Sequence, residues 1–167
     1  MSQIATTTWQ GCYTHGWPTA LLVPESFGHP AKMAPGLLTH IFAHAKADGW
    51  LPVGSVVLDP FLGIGTTGLH ALLNGCVFVG CELEPKFFTL AQENIAKWMT
   101  EYCDLPGWGP WAMCVNGDSR RLTRLLPGLA GAVVSSPPFG EQQKGGGLAK
   151  TGTPAQQKYG MHAPVGY

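Results

Sequence analysis

The run SVVLDPFLGIGTTGLHALLNGCVFVGCELEP, residues 55–85, decides the fold. Residues 55–58 are apolar and β-branched, which reads as a strand buried on both faces. Gly63, Gly65 and Gly68 follow in a turn that lets the backbone bend sharply and approach a neighbour closely. A helix is expected over 66–73, ended by Asn74-Gly75. Residues 76–81 read as a second buried strand closing at Glu82. The next helix is expected over 85–99, with Phe88, Ala91, Ile95 and Trp98 on its inner face.

Upstream, a helix is predicted over 35–47, started by Pro35 and buried through Leu37, Leu38, Ile41, Phe42 and Ala45. Residues 1–28 read as an irregular arm with one short strand near 20–23. Downstream, strands are expected over 112–115 and 131–135, ending at Asn116-Gly117-Asp118 and at Ser136-Pro137-Pro138-Phe139. Alternating strands and helices imply an α/β fold with a mostly parallel sheet. Three segments follow: the arm 1–28, a core 29–139, and a Gly- and Lys-rich loop or tail over 140–167.

Bulk composition narrows the function classes. Hydrophobic residues make up 45% and charged residues 12% of 167, with a formal net charge of +0. That is enough for one domain with a core, and no global basic field marks the chain as a nucleic-acid binder. The five cysteines form no CxxC pair, and an odd count without a leader-like N-terminus suits a reducing, cytoplasmic setting. No apolar stretch approaches the ~18 residues of a membrane span. His15, His29, His40, His44, His70 and His162 form no ligand set, so no metal is expected.

The loop motif Asp59-Pro60-Phe61-Leu62-Gly63-Ile64-Gly65-Thr66-Thr67-Gly68 also spells the dinucleotide pattern GxGxxG. What sets it apart is Asp59 at the strand tip. Its carboxylate repels a pyrophosphate and attracts an ammonium, which favours S-adenosylmethionine over NAD or FAD as the ligand of this loop. Glu82 lies 23 positions after Asp59, in place to accept hydrogen bonds from a ribose. Asp118, at the next strand tip, suits an adenine amino group. The prolines of Ser136-Pro137-Pro138-Phe139 remove two N–H donors and leave carbonyl acceptors exposed. The Ser136 hydroxyl and the Pro137 carbonyl suit the two hydrogens of an amino group, and Phe139 suits stacking on an extruded base.

Together DPFLGIGTTG, GCELEP, GDS and SSPPF, in this order, resemble the S-adenosylmethionine-dependent methyltransferases that modify exocyclic amino groups of DNA bases. The likeness covers about residues 24–140, and the whole looks similar to phage or prophage site-specific enzymes. It implies a Rossmann-like sheet and direct methyl transfer to a base flipped out of DNA. It also implies that ESFGHPAKMAPGLL brings His29, Pro30 and Lys32 to the methionine end of the donor. A serine opening the Pro-Pro motif favours cytosine N4, with adenine N6 the alternative. Cytosine C5 chemistry is disfavoured, because it uses a cysteine after a proline and none of the five follows one.

Members of this family continue with further strands and a target-recognition region, whereas this chain stops 28 residues after Phe139. The expectation is therefore a chain truncated after the Ser-Pro-Pro-Phe motif, its C-terminal strands missing or supplied by a partner, and its fourth strand an exposed edge. Arg120, Arg121, Arg124, Lys144, Lys150 and Lys158 are the candidate phosphate contacts, against a plain reading of the arginines as a solvated helix face. Two other readings remain: a non-catalytic donor-binding fragment, and a methyltransferase acting on RNA or protein amines.

Overall fold

A computed structural model describes residues 7–29, 32–125, 128 and 130–137. Among them, four parallel strands form one sheet in the order β3-β2-β1-β4. They are β1 (Val56–Asp59), β2 (Val77–Glu82), β3 (Ala112–Asn116) and β4 (Ala132–Val133). The helices are α1 (Pro35–Ala47), α2 (Thr66–Leu73), α3 (Pro85–Glu101) and the single turn α4 (Leu122–Leu125). The α/β reading thus holds, and all the pairings are parallel.

The chain steps outward from β1 to β3, then returns to the other side of β1 for β4. The carboxyl ends of β1 and β4 therefore flank the reversal of strand order, the place where open α/β sheets receive ligands.

Close packing explains why two of the glycines are needed. A Cβ on Gly68 would lie 2.7 Å from the Phe78 ring, so α2 sits directly on β2. A Cβ on Gly80 would collide with Leu62, which is folded down onto β2 from the glycine loop. Trp98, Phe42, Phe78, Leu38, Leu69, Leu72 and Val57 fill the core around these contacts.

Three expectations need correction. Residues 20–23 form no strand; the 3-10 turns Thr19–Leu21 and Pro24–Gly28 occupy this region. Pro18 and Pro24 flank the run and lack N–H groups, and the Val23 N–H donates to Asn94 Oδ1 at 2.8 Å instead of to a sheet neighbour. The strand expected over 131–135 pairs only at Ala132–Val133, although Gly131 and Val134 add backbone bonds to Val56 and Leu58. On α3 the buried face is Leu90, Ala91, Asn94, Ile95 and Trp98, while Phe88 is only half-buried.

Asn94 explains that rotation. Its amide is fully buried and accepts from Val23 while donating to Ser26 Oγ at 2.8 Å and Ile64 O at 2.9 Å. The irregular arm, the glycine loop and α3 are thus tied at one side chain, and the Trp98 indole adds a bond to Leu21 O. Replacing Asn94 with Ala strands these partners and is expected to cost about 2–4 kcal/mol. Thermal melts followed by circular dichroism should then show Tm lowered by roughly 5–15 °C, and an unchanged Tm would contradict this role.

Candidate functional site

The site grows from the tip of β1. Asp59 is 2% exposed, and its Oδ1 accepts from the Phe61 N–H at 3.1 Å and from Ser135 Oγ at 2.6 Å. Burial pushes its pKa up, while hydrogen bonds from Ser135, Thr67 and Phe61 pull it down. The carboxylate therefore points toward the glycine loop, as its position in the sequence suggested, but there it fastens the loop to the sheet.

Gly63 and Gly65 adopt positive φ of 55° and 87°, and Gly65 caps the start of α2. The Leu62 N–H donates to Cys81 O at 3.0 Å, and the Gly63 N–H donates to Glu82 Oε2 at 2.7 Å. The second oxygen of Glu82 accepts from the Glu84 N–H at 2.9 Å. Each oxygen of this half-buried carboxylate keeps a lone pair, so Glu82 can still accept from ribose hydroxyls. A pyrophosphate fares differently, because the Gly63 N–H it would need already serves a carboxylate. Among the described residues neither Asp59 nor Glu82 is ion-paired with a cation. The loop thus carries two acidic groups, Asp59 and Glu82, with the ammonium groups of Lys32 and Lys86 on the side of His29.

His29 lies over the loop. A Cβ on Gly63 would come within 3.3 Å of the imidazole, which also packs edge-on against the Phe87 ring at 4.3 Å between centroids. Burial, then the positive charges of Lys32 and Lys86, lower its pKa to about 4. The Lys32 ammonium donates to the carbonyls of His29, Phe27 and Ser26 at 2.6, 3.2 and 3.4 Å, and burial lowers its pKa. Lys32 thus clasps the turn that presents His29. Of the loop residues, Thr66 is buried, Pro60 is half-buried and Phe61 is exposed.

Asp118 caps the turn Ser119–Arg121 and pairs with Arg120, its oxygens accepting from the guanidinium at 2.6–3.0 Å. That pairing lowers its pKa to about 2. With Thr123, Arg121 and Arg124, this pair lines an open polar depression of about 590 Å³. Ser136 and Pro137 are exposed beyond β4. Pro30, Pro138, Phe139, Lys144, Lys150 and Lys158 lie outside the described residues. His40 and His44 pack against Trp9, and the described residues contain no group of three or more potential metal ligands.

The structure thus gathers His29, Asp59, Gly63, Gly65, Thr66 and Glu82 at one loop, with Asp118 just past the tip of β3 and near enough to Cys81 to act, like Glu82, on its thiol. Asn94, Thr67 and Ser135 were missed. The one available signal was a lone Asn on the apolar face of α3.

Comparison with known proteins decides the family. A DNA methylase family model matches residues 5–93, more than half of the chain. The chain belongs to the DNA methylase family. The orphan methyltransferase M.BamHII of Bacillus amyloliquefaciens is 31% identical over 96 residues, covering 57% of this chain and 34% of that protein. The type II methyltransferase M.BglI of Bacillus subtilis is 45% identical over 42 residues, 25% of this chain and 12% of that one. The chain thus spans about a third or less of these curated relatives. TrmN from Thermus thermophilus superposes with a TM-score of 0.52 at 24% identity, covering 74% of this chain and 32% of its own. The C-terminal domain of precorrin-6Y C5,15-methyltransferase from Rhodobacter capsulatus gives 0.50 at 19%, covering 70% and 57%. The DNA methylase chain therefore carries the Rossmann-like methyltransferase fold. None of its described helices is long and apolar enough to cross a membrane.

The His29 geometry has a pH signature. Its folded pKa of about 4 lies below the 6.5 of a free imidazole side chain, so folding favours the neutral ring. The contribution to stability is complete above pH 6.5 and is lost as pH falls through about 4. Urea denaturation should show a midpoint that falls from about pH 7 to about pH 5, with a shallower fall in His29→Gln. Equal pH dependence in the two proteins would rule out this contribution from His29.

Proposed function

We propose that this chain is the donor-binding and catalytic-loop part of an S-adenosylmethionine-dependent methyltransferase that modifies an exocyclic amino group of a DNA base. The observation that carries the reading is the buried Asp59 carboxylate, without an ion-pair partner among the described residues, at the tip of β1 and joined to the mouth of β4 where Ser136 and Pro137 lie. Family membership supports DNA as the partner. Ser136 at the head of the Pro-Pro motif favours cytosine N4, with adenine N6 second.

The residues present fit the donor. A negative loop with its phosphate-binding N–H already occupied suits a sulfonium with an ammonium-bearing tail. His29, Pro30, Lys32, Asp59, Pro60, Phe61, Gly63, Gly65, Thr66 and Glu82 would hold it. Asp118, just past the tip of β3, would take the adenine amino group. When bound, S-adenosylmethionine supplies an electrophilic methyl group.

The chain does the positioning. The Ser136 hydroxyl and the Pro137 carbonyl accept the two amino hydrogens, which turns the nitrogen lone pair toward the methyl. Phe139 stacks on the extruded base and keeps it in plane. Orientation of this kind supplies most of the rate gain.

Calorimetry should detect S-adenosylmethionine binding, weakened at least about tenfold in Asp59→Ala. Transfer of labelled methyl groups to DNA should fall on the order of 10- to 100-fold in Ser136→Ala. Digestion of the product should release N4-methylcytosine. Binding of a nicotinamide dinucleotide in place of the donor would overturn the proposal, and N6-methyladenine would overturn the choice of base.

A further inference from the structure

The segment that carries the catalytic motif is weakly held by backbone bonds. β4 pairs with β1 over two residues, Val57↔Ala132 and Leu58↔Val133. Among the described residues the last backbone bond from this segment to the sheet is Val134 N–H to Leu58 O at 3.0 Å. Beyond it come Ser135 and Ser136, then Pro137, which has no N–H to offer. Ala132 and Val134 pack against the core, whereas Val133 is 62% exposed.

One side-chain bond compensates. Ser135 Oγ donates to Asp59 Oδ1 at 2.6 Å, across the reversal of strand order. The same oxygen accepts from the Phe61 N–H of the glycine loop. The carboxylate is therefore a joint with the donor loop on one side and the exit of β4 on the other.

We infer that Ser135 is a positioning residue: its hydroxyl locks the exit of β4 to Asp59 and so sets Ser136 and Pro137 in register with the donor loop. The inference rests on the function proposed above. It assigns Ser135 no contact with base or donor. A bond to a buried carboxylate is short and directional, which suits it to hold a segment that prolines have stripped of donors. Donor binding stiffens the loop side of the joint, and the hydroxyl carries that stiffening to Ser136.

The test compares Ser135→Thr, which keeps a hydroxyl, with Ser135→Val, which has the same shape without one. Hydrogen exchange is measured with and without S-adenosylmethionine, alongside calorimetry and labelled methyl transfer. In the native chain and Ser135→Thr, the donor should slow exchange at residues 61–67 and also at Ser135 and Ser136. Ser135→Val should keep donor affinity within about threefold while losing protection at Ser136 by at least about tenfold. Its kcat should fall roughly 10²-fold with little change in donor KM. Full protection and transfer in Ser135→Val would overturn the inference. If Ser135→Val does not fold, the native chain still decides, because donor protection of residues 61–67 without any at Ser136 would also overturn it. A native chain that binds no donor removes the functional reading itself.

Discussion

Everything at the site rests on one buried amide. Asn94 has no access to solvent, so its oxygen and nitrogen must find partners inside the protein or cost the full price of desolvation. It finds three partners on two segments distant from it in sequence: the backbone at Val23 and the hydroxyl of Ser26 in the arm, and the carbonyl of Ile64 in the glycine loop. Satisfying the amide therefore requires the arm, the glycine loop and α3 to be in place together. Ser26 belongs to the turn that leads to His29, and Ile64 lies between the two left-handed glycines. The position of the imidazole over Gly63 follows from this arrangement. Core packing and site geometry are consequently one problem for this sequence.

The carboxylates of the site extend the same logic. Asp59 and Glu82 each accept backbone N–H groups of the loop that they border. Their bonds shape the loop while their charges set its field, so one substitution changes both. Asp59 also reaches the neighbouring strand through Ser135. Asp118 shows the contrast: its charge is met by an exposed arginine of its own turn.

Much of this architecture was legible in the residues. The glycine spacing, the β-branched runs and the stop at Asn74-Gly75 located β1, α2 and β2 to within a residue, because these signals act locally. The run 20–23 misled because its apolar character serves burial of Leu22 against the core rather than pairing in a sheet. Asn94 was visible as a polar residue on an apolar face, but its partners lie 30 to 71 positions away and no local pattern names them. Ser135 was hidden beside Ser136, since two adjacent serines give no hint of which one faces the buried acid. Glu82 was rightly placed at a strand tip. What could not be read was that its oxygens already serve Gly63 and Glu84.

That last bond bears on life inside a crowded cell. Adenine nucleotides there carry phosphate almost without exception, and a glycine turn ahead of a helix is a common landing place for them. Here the protein has seated its own anion where such a group would dock. A phosphate reaching this turn would meet the Glu82 carboxylate on the Gly63 N–H, whereas a ribose hydroxyl could still donate to that carboxylate.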